Sequence, residues 1–579
     1  MAGKKQDLGG LMSESFNTSS NLRHELLDSF DESLKAEPTF ASNLNVHGMY
    51  ETMRFVLRLS PRNHELLEMV PMDGIVLADL PPEAVQAFST YLHETVHWWQ
   101  HVGSTSGLVF SLSYLAQCHS SLGELRAVLA TIGKKKSLKS YTDDVLRREG
   151  PSAQAKLAAA NVAVNNALDV EYYKYYAYSP HANISWMFEE SHFESVGHGY
   201  FIAYSHLLGM LSDVIDPDNV IVPDADWSTE ILRLREEQVE GYYWRSPVRL
   251  PAVGLQAIYE GQARFTQLNF LDGARDQPLS CSQWKDAGYL SGIYSEAFEA
   301  FLALSESQWP ETLEDPLVAL FLLICDLAIN PTRGFPLAIE VFEDLIRDVD
   351  VGVRFTLLCQ AAAQLPHLKK RITEYSKEEY ISVSEELTTL VGYDHPIAAL
   401  STVNQWFEYA PGLSKLMEQY EAFNYDLTNF PIRVFVSHFV AFCQDRLEHP
   451  EFFCWAGTYM SGQRSLSNWQ ALWLRHLSLF SDRGDKHGVF PREQPGRSEE
   501  AVMATFKQFF GTLPLYDLTR QWILEDGPFT FDFEWMVENP ATFLYEASAN
   551  HVFKQVYGVT LDEFEIIKSK DPSRDTTGR

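Results

Sequence analysis

The chain has 579 residues, 45% hydrophobic and 13% aromatic, enough apolar surface for a globular protein of two or three domains. Its formal net charge of −32 argues against a nucleic-acid groove, whose affinity depends on Lys and Arg neutralising phosphates, and favours solubility. No apolar run reaches 18 residues, and no apolar stretch follows the basic residues near Met1, so neither a membrane span nor a secretory signal is expected.

Leu-, Ala- and Glu-rich tracts with few long alternating stretches predict a mostly α protein. Residues 1–40, Ser-, Asn- and Asp-rich with weak periodicity, are expected to form a mobile arm. Two short strands follow, one over Met53–Leu59 and one over Asp73–Asp79, and form a small β element upstream of the first strong helix. A strand running into that helix would be placed to bind an extended peptide by main-chain pairing.

Pro81-Pro82-Glu83 opens the helix, with proline in the first turn and an early carboxylate at the positive end. Phe88, Tyr91, Leu92 and Trp99 supply an apolar side, while Gln86, Thr90, His93 and His97 form a polar stripe. Within this helix His93-Glu94-Thr95-Val96-His97 is a His-Glu-x-x-His motif. At a rise of about 1.5 Å per residue the histidines stand about 6 Å apart along one face, so both imidazoles can reach one ion. Glu94 projects about 100° aside, where it can act on water without coordinating metal. A solvated helix face is the alternative meaning of the stripe.

Further on, Gly133–Lys139 is a basic run expected to be a solvated loop, or else an acidic docking site. An alanine-rich helix is expected around Ala153–Ala160. Glu189-x-x-His192 repeats the form of Glu94-x-x-His97; two such pairs plus a lone glutamate are the ingredients of a di-iron carboxylate bundle, though that reading leaves His93 unused. Beside a zinc site, His192 or His198 could polarise a substrate carbonyl, or merely satisfy core or loop hydrogen bonds.

A catalytic zinc site takes three protein ligands. His101 shares the motif face but lies about 12 Å from His93 along an unbroken helix, too far to share an ion. The metzincin continuation is absent, since Gln100 stands in its glycine place and Gly103 in its histidine place. Glu260, in the helical stretch after Pro251, is the better candidate. Gly261 inside that helix costs about 1 kcal/mol relative to alanine and is expected to face the motif helix at close approach, with Ala263 in the same layer. These residues resemble the gluzincin-type metallopeptidases, in which His-Glu-x-x-His is completed by a glutamate often set in Glu-Gly-x-Ala. Glu260-Gly261-Gln262-Ala263-Arg264 is also locally similar to the third-ligand segment of large, mostly helical zinc carboxypeptidases. The match covers two short patches separated by 163 residues between His97 and Glu260. The resemblance implies a zincin-like core, one Zn²⁺ per chain held by His93, His97 and Glu260, Glu94 as general base, and a protein or peptide substrate. Tyr259 and Arg264 become candidate supporting residues; Arg264 could instead pair with Glu260 at i+4.

Pro316–Cys325 reads as a buried helix ending near Asp326, a candidate to orient a ligand histidine or else to bond the helix end. The expected organisation is a metallopeptidase domain over 41–345, a helical accessory, substrate or regulatory region over 346–568, and a polar tail over 569–579. In the second region Phe509–Pro514 and Phe529–Phe533 are expected as loops or short strands, and a protein regulator could act there. Six scattered cysteines without a C-x-x-C pair point to a reduced, cytoplasmic compartment. A non-catalytic helical scaffold is the remaining alternative.

Overall fold

The computed structural model describes residues 48–51, 55–71, 80–221, 227–275, 277–486, 488–531 and 542–567. They are mostly helical, with a small strand element ahead of the long helices. The strand expected at Asp73–Asp79, the arm over 1–40 and the tail over 569–579 lie outside the described residues. Proline in the first turn starts the helices at Pro82, Pro180, Pro316, Pro396 and Pro411, where its missing N–H is no loss. Ser104, Ser195 and Ser376 cap others by accepting a backbone N–H. Among the described residues no helix is long and apolar enough to cross a membrane.

The motif helix, Pro82–Gly103, is buried from Ala84 to its end. It packs against Leu255–Gly273, Thr105–Ser120 and Phe430–Glu448. Its polar stripe is therefore not a solvated face: Gln86 and Thr90 are 0% exposed and His93 2%. A polar stripe inside a core must find partners there, and that requirement shapes the site.

The strand element is a four-stranded sheet in the order Gly48–Glu51, Val56–Leu59, Phe480–Ser481, Phe490–Pro491. The outer pairs are antiparallel and the central pair, Val56 opposite Phe480, is parallel. Val56–Leu59, the described part of the strand expected over Met53–Leu59, thus has a neighbour on each side, while Asp73–Asp79, the strand expected to run into the motif helix and pair with a peptide, lies outside the described residues. A segment more than 400 residues away has taken one of the two places beside Val56–Leu59, fixed by Asp482, whose carboxylate accepts the Leu59 N–H at 3.1 Å.

The division expected at residue 345 does not coincide with a break in the core, since one apolar cluster runs from Phe55 to Tyr516. Trp99 on the motif helix donates to the His476 carbonyl, and a ring cluster of Trp99, Phe452, Phe453 and Trp473 closes over it. Helix Pro316–Ile329 is buried as expected. Phe509–Pro514, expected as loop or strand, lies inside helix Glu499–Leu524. Pro514 leaves the Phe510 carbonyl without its i+4 donor, and the Tyr545 hydroxyl supplies one at 3.1 Å, which offsets the usual cost of the break. Phe529–Phe531, the described part of the other aromatic segment, forms no strand.

The basic run is not a solvated loop either. Lys135–Lys136 pairs in parallel with Glu565–Ile566, and Lys134 and Lys135 form ion pairs with Glu563 and Glu565. Lys136 is buried, with its ammonium donating to the carbonyls of Glu525 and Gly527. The run docks an acidic segment of its own chain.

Candidate metal centre

Helical spacing places His93 and His97 on one face, and the neighbouring helix brings Glu260 onto the same point. Their Nε2 atoms are 3.1 Å apart, and each lies 3.4 Å from Glu260 Oε2. Ligands at about 2.0–2.1 Å from a tetrahedral ion stand about 3.3–3.4 Å from one another, so this triangle matches the base of a tetrahedral site. The donors suit zinc: two imidazole nitrogens and one carboxylate oxygen. Two imidazole nitrogens at 3.1 Å would also repel each other through their lone pairs unless a cation, proton or metal, lay between them. Among the described residues this is the one cluster of three such side chains. The His93 side chain is 2% exposed, that of His97 10% and that of Glu260 21%, so the approach from solvent lies on the Glu260 side.

Gln100 is the residue that sequence reasoning missed. Its Oε1 stands 2.7 Å from His97 Nδ1, and its Nε2 donates to the Tyr259 carbonyl and to Gln262 Oε1, both at 2.9 Å. The Tyr259 carbonyl can only accept, which fixes the amide with its oxygen toward His97. His97 Nδ1 must then carry the proton, leaving Nε2 with its lone pair directed at the triad. The signal was available three residues beyond His97, where helix geometry brings side chains together. Gln100→Ala is expected to weaken zinc binding about 10- to 100-fold in folded protein, read by competition with a chromogenic chelator. Unchanged affinity would show that Gln100 holds the two helices together without governing the ligand.

The electrostatics follow from burial and the paired carboxylate. Burial disfavours a charged His97, but Glu260, then Glu94 and Gln100, outweigh it and raise the pKa to about 9. Burial acts against an ionised Glu260 too, and the two histidines reverse that, holding its carboxyl well below the usual range. Without metal, His97 is therefore protonated at neutral pH, and an entering ion must displace that proton. Apparent zinc affinity is expected to climb about tenfold per pH unit below 9 and then level off, as measured with a buffered zinc indicator. The linked sign for stability is opposite. A raised folded-state pKa gives metal-free protein stability that is complete below pH 6.5, the ordinary value, and is lost as pH rises through about 9. A pH-independent affinity would contradict the protonated pair.

The other candidates are placed elsewhere. Tyr259 directs its hydroxyl to the Gln100 carbonyl at 3.2 Å, and His101 packs edge-on against its ring; both support the motif helix. Arg264 donates to Gln267 and lies 3.8 Å above the Tyr294 ring. His192 binds Asn165 and Asp143, and His198 faces Asp169 at 3.1 Å, so neither joins the triad. Asp326 does not orient a histidine: it is buried against Arg446 at 2.6 Å and Tyr380 at 2.8 Å. Gly261 does not face the motif helix. A Cβ there would meet Ala297 at 3.2 Å and Phe321 at 3.4 Å, on the helices Ile293–Leu304 and Pro316–Ile329. With Glu260 aimed at the histidines, the next residue is turned by about 100° and must face another neighbour.

Comparison with protein-family models, with curated proteins and with solved structures finds no match in any of the three.

Proposed function

We propose that the chain is a zinc-dependent peptidase built on a zincin-like core, with one Zn²⁺ per chain on His93, His97 and Glu260. The observation that carries this reading is the triangle of two Nε2 atoms and one Oε2, with edges of 3.1, 3.4 and 3.4 Å. When bound, zinc would lower the pKa of a coordinated water to about 7 and polarise the scissile carbonyl.

The remaining steps fall to the chain. Glu94, 3% exposed and one residue along from His93, takes the water's proton and returns it to the leaving amine. His97, oriented by Gln100, keeps Nε2 unprotonated toward the ion. Burial of both histidines keeps bulk water away from the ligands, which strengthens each charge interaction in the site. Peptide is favoured as substrate by the resemblance to gluzincins, since the metal chemistry alone would serve other amides and esters. Six free, buried cysteines accord with a reduced, cytoplasmic setting.

A di-iron bundle gains no support, because His192 bonds to Asn165 and Asp143 outside the triad. Elemental analysis of protein purified without a histidine tag tests the reading, together with hydrolysis of a quenched peptide mixture. About one zinc per chain and chelator-sensitive cleavage are expected. Two irons per chain, or no transition metal under zinc-replete conditions, would overturn it.

A further inference from the structure

Five large aromatic side chains are exposed among the described residues, and three of them, Tyr175, Tyr178 and Trp186, gather on one face. Tyr175 and Tyr178 sit three apart in the last turn of helix Gln154–Tyr178, and Trp186 follows on helix Pro180–Glu189. The Trp186 ring meets Tyr175 edge-on at 5.1 Å.

From this face a line of rings leads inward. Tyr178 stacks on Phe110 at 6.0 Å, Phe110 lies 6.2 Å from His101, and His101 lies 5.0 Å from Tyr259. Tyr259 is the residue before Glu260. The face is also clamped to the start of the Glu260 helix. The Tyr176 hydroxyl donates to the Arg249 carbonyl at 3.2 Å, and His181 donates to that of Pro251 at 2.8 Å. A side chain at Gly254 would collide with the Tyr178 carbonyl oxygen, so the backbones are in contact there. Six residues of helix, about 9 Å, separate Gly254 from Glu260. Burial and, after it, the Glu260 charge push the Tyr178 phenol up.

We propose that Tyr175, Tyr178 and Trp186 form a subsite for an aromatic or large aliphatic side chain of the peptide substrate, two or three residues from the cleaved bond. The register follows from length: the Tyr178 backbone touches Gly254, about 9 Å of helix before Glu260, and an extended peptide advances about 3.3 Å per residue, so two to three residues span that rise. The side on which the triad is most exposed is that of Glu260. Lys174 does not make the face selective for acidic groups, because it turns its ammonium onto the Phe110 and Tyr114 rings and donates to the Phe110 carbonyl at 2.9 Å. Aromatic contact area therefore governs the choice of side chain. This subsite rests on the peptidase reading above.

The test is cleavage of a proteome-derived peptide library by the zinc-loaded full chain, followed by kcat/KM on matched peptides bearing phenylalanine or alanine at the selected position. Enrichment of aromatic and large aliphatic residues two or three positions from the cut is expected. Trp186→Ala and Tyr178→Ala should each lower the phenylalanine-to-alanine ratio of kcat/KM about fivefold to tenfold, while Tyr178→Phe retains it. Cleavage without that preference, or a preference that survives both alanine variants, overturns the subsite and leaves the peptidase reading standing. Self-association through this face, abolished by the same variants, would overturn it as well. If the zinc-loaded protein cleaves no peptide, the peptidase reading falls and the subsite with it.

Discussion

Glu94→Gln is expected to keep about one zinc per chain while losing about 10²- to 10⁴-fold in peptide hydrolysis. Glu94 lies between His93 and His97 in sequence but is turned by about 100° from His93, and it is not among the three side chains that converge. The substitution conserves shape, so neither the packing of the buried motif helix nor the His93–His97–Glu260 triangle is disturbed. His93→Ala and His97→Ala remove a ligand and should lose both metal and activity. The pair of measurements is zinc content after extensive dialysis and kcat/KM on one identified peptide. Full activity in Glu94→Gln would show that another group moves the proton.

The largest effect on stability is expected at Asp326→Ala, with a loss of about 3–5 kcal/mol. Asp326 is 2% exposed and its partner Arg446 is 5% exposed, so removing the carboxylate strands a guanidinium in the core. The Tyr380 hydroxyl loses its acceptor at the same time. Denaturant unfolding of zinc-loaded protein reads the loss as a shift in midpoint at unchanged slope. Zinc affinity measured where the variant is still folded should be unaltered, because Asp326 touches neither histidine. A variant of normal stability that has lost its zinc would show instead that Asp326 orients a ligand histidine, one of the two roles the sequence left open.

Much of the candidate site was legible because helix geometry is local. The spacing of His93 and His97, the sideways position of Glu94 and the stripe through Gln86 and Thr90 all follow from 3.6 residues per turn. Glu260 could be picked out through its Glu-Gly-x-Ala setting, although nothing in the intervening 163 residues announced that the two helices meet. Gln100 was visible but was weighed only against another family's glycine. Asp326 was open to two readings, a support for the site or a helix-end bond, and its pairing with Arg446 was hidden because that partner lies 120 residues on, where no local pattern connects them.

The sequence by itself therefore determined the mostly helical class, the motif helix and the Glu260 helix, which side chains share a face of the motif helix, and the three side chains that could hold a metal ion. Each of these depends on residues a few positions apart and on backbone geometry that every helix repeats. Only the tertiary structure decided which faces meet. It closed the Val56–Leu59 edge with Phe480, turned Lys134 and Lys135 toward Glu563 and Glu565, and aimed Gly261 at Ala297 rather than at the motif helix. Those outcomes depend on how one core packs all its elements at once, so they are properties of the whole chain and of no segment within it.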